Sequence, residues 1–332
     1  AEGASLPGAP VHIWPFVRVF SGMAPRRSAG RALPLLLLAV VWIGCFGPSG
    51  VSNLAQVNVS FDEEDSSSGG LKSIVENNAY KLALLSYLVC FLVAKREPPP
   101  PKDPVQAGPL EKRGDYSTVL WMSAWLSLLS GIVNAVAIIE MGGTVAHHTG
   151  NASHAGRLAG TDGARFLALM VAYLVGAGVQ GYCKSDGEAL FSGRYSPGLL
   201  SASIAVLAGA VIHYCSGNAL VALPLLSFSQ GLQNAISRKC SSLPVCTTHM
   251  TGYLTDAGAG LGVWAASRFR ESLSARTKFF LLSISTFVAG GLAAKMMRDV
   301  VGVTAALVPA ALMAVTALGL IPLPKAVGAK AN

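Results

Sequence analysis

Residues 131–150 contain Gly131-Ile-Val-Asn134-Ala135 followed by His147-His148-Thr149-Gly150, and residues 231–252 repeat the pattern as Gly231-Leu-Gln-Asn234-Ala235 and His249-Met250-Thr251-Gly252. The interval from Asn to Thr is 15 residues in the first copy (149 − 134) and 17 in the second (251 − 234). Each copy continues with an apolar helix that carries close glycines and then with one plain apolar helix, so the repeated unit is three helices. A unit with an odd number of spans enters the bilayer from opposite sides in its two copies, which predicts inverted repeats.

The composition is typical of a membrane protein. Of the 332 residues, 52% are hydrophobic and only 13% are charged, too few to cover a soluble globule of this length. A soluble enzyme is therefore excluded. Six apolar stretches have about the twenty residues that a spanning helix needs: 118–140, 165–183, 198–216, 217–237, 278–296 and 300–321.

We expect an all-α polytopic membrane protein. Its six-helix core consists of two inverted three-helix repeats, residues 117–216 and 217–322, and one N-terminal transmembrane helix precedes it at 79–96. A proline-rich linker over 97–116 begins with Pro98–Pro101 and joins the two parts. Residues 323–332 form a C-terminal tail.

The first 49 residues have the pattern of a targeting segment. Met23 is followed by three arginines and then by an 11-residue apolar core, Leu33 to Ile43, which is too short to span a bilayer as a helix. We interpret it as a cleaved secretory signal, and an uncleaved anchor is the alternative. Entry by the secretory route leaves the organelle open among endomembranes, the plasma membrane and a secondary plastid.

The next segment, residues 50–78, is polar and acidic. It carries the glycosylation sequon Asn58-Val59-Ser60 and too few apolar residues to bury a core. We expect it to be disordered and lumenal.

Lysine and arginine are divided unequally between the two faces that these spans imply. One face receives only four, Arg157, Arg165, Lys295 and Arg298. The other receives fifteen: Lys95, Arg96, Lys102, Lys112, Arg113, Lys184, Arg194, Arg238, Lys239, Arg268, Arg270, Arg276, Lys278, Lys325 and Lys330. The positive-inside rule therefore places the linker and the C-terminus in the cytosol. Because these residues end apolar runs and form no stripe with aromatic residues, the net charge of +8 indicates no nucleic-acid partner.

Residues 251–267 are apolar but do not fit as a span. The stretch contains four glycines and Asp256, and a crossing there would upset the charge distribution. We expect a half-membrane or re-entrant element, whose broken backbone would need protein or a water-filled cavity to satisfy its polar groups.

Asn134 and Asn234 each lie three residues after a glycine in an apolar helix. Two interpretations are open. The amides form interhelical hydrogen bonds beside small residues, or they face each other across the pseudo-two-fold axis and line a polar path together with Gln233. If they line a path, leucine at either position would stop solute flux and leave folding largely intact.

The two Thr-Gly pairs predict broken helix ends. We expect Thr149 and Thr251 to be helix N-caps and Gly150 and Gly252 to permit a tight break, which would leave two half-helices with polar or anion-attracting ends. Simple turn capping without a ligand is equally open.

The ionisable residues near the motifs are His147, His148, His249, Asp256 and Glu140. We assign the first four to the predicted polar path, because ionisable groups inside a membrane often serve ion coupling. Glu140 lies at the end of a helix and is not assigned to the path. A metal site needs three or four converging ligands, and an inverted fold places the histidine motifs on opposite sides. The sequence therefore predicts no metal and no cofactor.

Three functions are compatible with these patterns. The leading one is a small-solute transporter or channel, since inverted repeats with glycine-broken elements suit alternating access. The alternative is a non-transporting structural or assembly subunit of a membrane complex. An intramembrane enzyme that uses the motif histidines is third, because no GxSxG, HExxH, P-loop or paired-carboxylate motif supports catalysis. The expected partners are the lipid bilayer, a small polar or anionic solute, and a homo-oligomer or larger membrane complex.

The order of the motifs resembles that of a known family. GxxNA and HxTGN (Gly131 to Asn151), then GxQNA (Gly231 to Ala235), then TTxxTG (Thr247 to Gly252) are similar to the YoaK family of integral membrane proteins, domain of unknown function 1275. The resemblance covers residues 117–322, and residues 1–116 have no counterpart. It implies an integral membrane protein and names no substrate.

The charge distribution predicts a topology that cysteine labelling can test. In sealed vesicles, an impermeant thiol reagent should label Val105→Cys and Gly328→Cys from the same side, and Arg157→Cys from the opposite side, over the background of the parent chain. Opposite accessibility of residues 105 and 328 would refute the topology.

Overall fold

The computed structural model describes residues 69–96, 116–158, 160–183, 195–239 and 246–321. Within these ranges every regular element is helical: α1 (Gly69–Ala94), α2 (Tyr116–Met141), α3 (His148–Arg157), α4 (Thr161–Cys183), α5 (Pro197–Ser216), α6 (Ala219–Lys239), α7 (Met250–Ala266), α8 (Ala275–Val301), a 3₁₀ turn (Gly302–Ala306) and α9 (Leu307–Ala317). Six of them, α1, α2, α4, α5, α6 and α8, are long and apolar enough to cross a membrane. The all-helical polytopic class is confirmed. The targeting segment, the acidic segment before residue 69, the linker up to residue 115 and the C-terminal tail lie outside the described residues.

Helix α1 begins ten residues earlier than predicted. We expected disorder up to residue 78, but residues 69–78 are helical. The reason is a buried stripe that starts before the apolar run, because Val75, Ala79, Ala83 and Tyr87 recur at four-residue spacing on one face. This face lies against α5, where the Ser201 hydroxyl donates to the backbone oxygen of Cys90 over 2.8 Å.

The predicted span at 300–321 is wrong in its bounds. Helix α8 continues to Val301, and Gly302 ends it with a positive φ of 64°. The apolar helical segment that follows, Thr304–Ala317, is shorter than the six candidate spans. The Ser203 hydroxyl of α5 donates to the Ala310 backbone oxygen over 2.7 Å and so fixes α9 in the bundle.

Glycines form the two closest helix crossings of the core. A Cβ atom on Gly131 of α2 would overlap the backbone oxygen of Phe287 in α8, and one on Gly231 of α6 would overlap that of Tyr173 in α4. The partner helices contribute glycines at the same crossings, Gly290 and Gly176. Each crossing joins a helix of one repeat copy to a helix of the other, which supports the duplication. The inverted relation itself stays a prediction.

Helices α2 and α8 run in the same direction. Besides the crossing at Gly131, an ion pair between Glu140 and Arg298 joins their C-terminal ends. The His213 ring of α5 lies beside the backbone of Glu140. If α2, α4, α5 and α6 each cross the bilayer once, the chain returns after α6 to the side where α2 starts. Because α8 runs parallel to α2 and must start on that same side, α7 does not cross.

The contacts of α7 agree with this count. The Tyr253 ring lies 5.0 Å from that of Phe280, and Gly260 faces the Thr277 side chain, so α7 contacts the first turns of α8. In the same way α3 meets the first turns of α4, with the rings of His154 and Phe166 4.9 Å apart. Both short helices thus lie across the start of the following span. The expected break inside 251–267 is absent, since α7 is continuous from Met250 to Ala266.

Alanine at the crossing glycines should destabilise the fold. We expect Gly131→Ala and Gly231→Ala each to lower the free energy of unfolding in detergent by about 1–3 kcal/mol, because the added methyl group meets backbone that cannot move aside. Gly258→Ala in α7 is the control, since a Cβ atom there has no neighbour within 4 Å. The control should be neutral or stabilise by up to about 1 kcal/mol through helix propensity. Equal melting temperatures for all three variants would contradict the crossing geometry.

Candidate functional site

The chain turns back into the bundle after α2. The Asn134 side-chain oxygen accepts hydrogen bonds from the backbone N–H groups of Val145 (3.1 Å) and Ala146 (3.0 Å). Asn134 lies seven residues before Met141, the end of α2, which corresponds to a depth of about 10 Å. The segment before α3 is therefore re-entrant, and the amide satisfies two of its N–H groups.

The second copy has a similar arrangement, but its asparagine binds threonine hydroxyls where Asn134 binds backbone N–H groups. The Asn234 amide donates to the Thr248 hydroxyl over 2.8 Å and accepts from the Thr247 hydroxyl over 3.1 Å. Thr247 and Thr248 correspond to Val145 and Ala146, because the Thr-Gly pairs set an offset of 102 residues (251 − 149; 247 − 145). The backbone N–H of Cys246 donates to the Tyr253 hydroxyl over 2.7 Å and closes this second re-entrant segment.

The contacts of the two asparagines differ from a direct pairing across an axis, and their role in lining a polar path stays a prediction. Within the described residues no hydrogen bond joins Asn134 to Asn234, and each amide binds the segment that follows its own helix. Leucine at either position would remove the support of a re-entrant segment, so from these contacts we expect the substitution to impair folding.

The start of α3 and the segment just before α7 meet at Tyr173, midway along α4. The His148 ring lies 4.2 Å from the Tyr173 ring, and the Tyr173 hydroxyl lies beside the side chains of Thr248 and Asn234. The neighbouring His147 ring lies 5.9 Å from that of Phe287, midway along α8. Both half-helix starts thus reach mid-depth of the bundle, and the sequence motifs of the two copies are brought together there.

A line of polar side chains crosses the bundle on one face of α2. This polar stripe consists of Ser123, Ser127, Ser130 and Asn134, which share a helix face by their spacing and are buried. It extends for about 16 Å along the helix axis. At its centre the Gln233 amide nitrogen donates to the Ser130 hydroxyl (2.8 Å) and the Leu126 carbonyl (2.9 Å). Ser130 also pairs with Thr247 over 3.1 Å, so the stripe joins the second re-entrant segment.

Several buried polar atoms next to this stripe have no hydrogen-bond partner. They are both amide atoms of Gln230, the Gln233 oxygen, and the hydroxyls of Ser123, Ser127 and Ser229. A buried polar group without a partner destabilises a protein by about 1–3 kcal/mol, so such a concentration of them needs a functional reason.

The predicted N-caps are wrong. Helix α3 has its N-cap at His147 and α7 at His249, neither with a side-chain capping bond, and Thr149 and Thr251 lie in the first turns. These threonines are exposed, and their backbone oxygens accept from the hydroxyls of Ser153 and Thr255 instead. The threonines are able to cap a helix but stand at the wrong position, because each helix begins one residue before its threonine.

The two motif glycines also lie inside these helices and make no break. Gly150 is exposed with no neighbour within 4 Å of a Cβ position. Gly252 lies directly under the His249 ring, which a Cβ atom would overlap. His249 itself is exposed, 6.4 Å from the Tyr253 ring.

Asp256 lies away from the stripe. Its carboxylate forms an ion pair of 3.7 Å with Arg276, and both side chains are about half exposed. Among the described residues no group of three or more His, Cys, Asp or Glu side chains converges as metal ligands would. Of the predicted path residues, Gln233, Asn234, Asn134, His147 and His148 reach the interior, whereas the others lie at the helix surfaces.

Sequence reasoning missed Tyr173, Gln230 and the serines of the stripe. Serine at positions i, i+4 and i+7 of an apolar helix, in line with Asn134, was a signal of a polar face. Tyr173 had no such signal, because its role follows from the packing of α4 between the two re-entrant segments.

Replacing Asn134 by leucine should destabilise the protein strongly. The variant leaves the buried N–H groups of Val145 and Ala146 without an acceptor, at a cost of about 2–6 kcal/mol in total. The melting temperature in detergent should fall accordingly, whereas the exposed control Asn77→Leu should keep the parent value. A stable Asn134→Leu protein would show that the re-entrant segment does not depend on this amide.

Comparison with known proteins identifies a family. A family model described as "Protein of unknown function (DUF1275)" matches residues 122–319, from the first turns of α2 to just beyond α9. No curated protein and no solved structure matches the chain. The matched region includes both copies of the GxxNA motif, both re-entrant segments and the polar stripe, and it covers more than half of the 332 residues. The chain therefore belongs to the DUF1275 family of proteins of unknown function.

Proposed function

We propose that this membrane protein is a small-solute transporter or channel, with the polar stripe as its path. The observation that carries the proposal is the meeting of two half-helix starts beside buried polar atoms that have no partner. Non-helical backbone at this depth is stable only where protein or a polar path satisfies it, and broken helices at a repeat interface are typical of solute sites in transporters.

Helix orientation supports the same function. The N-termini of α3 and α7 carry partial positive charge from the helix dipole and from N–H groups without intrahelical partners. His148, the first residue of α3, and Thr248, just before α7, lie beside Tyr173 and come from different sequence repeats. A solute oxygen at that point, with its partial negative charge, would be stabilised by both helix ends at once.

The rival function is a non-transporting structural or assembly subunit. The glycine crossings favour it, because close packing of α2 with α8 and of α4 with α6 is also what a purely structural bundle requires. The two functions differ in one measurable respect, since only a transporter moves solute across vesicles that contain the purified protein alone.

Flux through the stripe should depend on Ser127. Its hydroxyl makes no hydrogen bond, so Ser127→Val adds bulk to the stripe without removing a contact. In proteoliposomes tested with glycerol, urea, nitrate and formate, we expect the variant to lose about 90% or more of whichever flux the parent shows, a loss of about 1.4 kcal/mol or more in rate terms.

The same substitution at the exposed Ser285 of α8 is the control and should keep the parent flux. Size-exclusion profiles and melting temperatures of both variants would establish that they fold. Parent protein that moves none of the four solutes faster than protein-free vesicles would favour the structural subunit.

A further inference from the structure

Gln230 lies fully buried on α6, and neither atom of its side-chain amide has a hydrogen-bond partner. With 3.6 residues per turn, its position on the helix surface falls between those of Gln233 and Asn234. These two neighbours bind Thr247 and Thr248 at the start of the second re-entrant segment. The free amide of Gln230 is therefore placed where that segment meets the polar stripe.

The orientation of the Gln233 amide is fixed by its contacts. The backbone oxygen of Leu126 can only accept a hydrogen bond, so the group 2.9 Å from it is the amide nitrogen. The Gln233 oxygen then points elsewhere, and it is buried without a partner. The region thus offers one free amide nitrogen and two free amide oxygens, together with the hydroxyls of Ser127 and Ser229, which can donate or accept.

These free polar groups favour a neutral solute over an anion or a cation. An anion would meet the two free amide oxygens, which carry partial negative charge, and among the described residues no lysine or arginine side chain hydrogen-bonds to Gln230 or Gln233 to compensate. A cation would meet the free amide nitrogen and the positive starts of α3 and α7. A neutral molecule with both donors and acceptors satisfies all of these groups without a buried charge.

Resting on the proposed function, we infer that Gln230 and Gln233 form a binding site for a small neutral solute that both donates and accepts hydrogen bonds, as amides and polyols do.

A set of three probes with one shape and different charges tests the class of solute. Urea, nitrate and guanidinium are planar molecules of four heavy atoms with charges of 0, −1 and +1, and glycerol serves as a second neutral probe. The full-length protein is reconstituted in vesicles, and the uptake of each probe is measured with potassium and valinomycin present to compensate charge. Urea and glycerol should enter at least about tenfold faster than in protein-free vesicles, and the two ions at the protein-free rate.

Gln230→Leu links this selectivity to the site. Because the native amide has no partner, leucine of similar size should leave the melting temperature unchanged or raise it, while uptake of urea and glycerol falls to the protein-free rate. Asn77→Leu, the same kind of change at an exposed position, should keep the parent uptake. A variant that loses both uptake and stability would show that Gln230 is a packing residue, which overturns its assignment.

The remaining outcomes separate this inference from the proposed function. Uptake of nitrate or guanidinium without urea would overturn the neutral class and leave transport standing. Water permeability alone, with urea and glycerol excluded, would show that the site admits only water. Urea uptake that Gln230→Leu does not reduce would overturn the site, and no accelerated uptake of any probe would refute transport altogether.

Discussion

Backbone groups at bilayer depth have no water to bind, and the architecture of this protein depends on how two segments meet that requirement. Residues 145–147 and 246–249 enter the bundle outside its regular helices. Asn134 supplies the acceptor for the first segment, and Asn234 together with Tyr253 ties down the second. With these segments fixed, α3 and α7 begin in the middle of the protein, so residues of two distant motifs share one polar region.

The interleaving of the two repeat copies encloses that region. Helix α2 packs on α8 and α6 packs on α4, each through a pair of glycines that lets the backbones touch. Neither copy forms a closed core alone, because its first helix packs against a helix of the other copy. The polar stripe and the glutamines of α6 consequently lie where the copies meet, which is where transporters with internal repeats hold their solutes.

The sequence predicted the features that depend on local pattern. Apolar length located the six long helices, although it also predicted a span at 300–321 that is a shorter helix. The repeated motif marked the neighbourhood of both re-entrant segments, but the re-entrant element itself was predicted at 251–267, where α7 is continuous. Prediction from the sequence failed where contacts between distant residues determine the start of a helix or the role of a side chain. The helix at residues 69–78 forms because Val75 and Ala79 find a partner, and Thr149 and Thr251 lose their capping role because each helix begins one residue earlier. Gln230 could not be identified either, since only the packed structure shows that its amide is buried and unpaired.

The contact between α2 and α8 also means that α2 must be synthesised well before its partner helix is available. Gly131 and the Phe287 backbone that it touches are separated by 156 residues (287 − 131). At a synthesis rate of about 5–20 residues per second, α8 leaves the ribosome roughly 8–30 s after α2. During this interval the serine hydroxyls of α2 face lipid or the insertion machinery, because Gln233 has not yet been made or has not yet docked. The rate of translation therefore determines how long α2 remains in the membrane with serine hydroxyls that lack their partners in the folded protein.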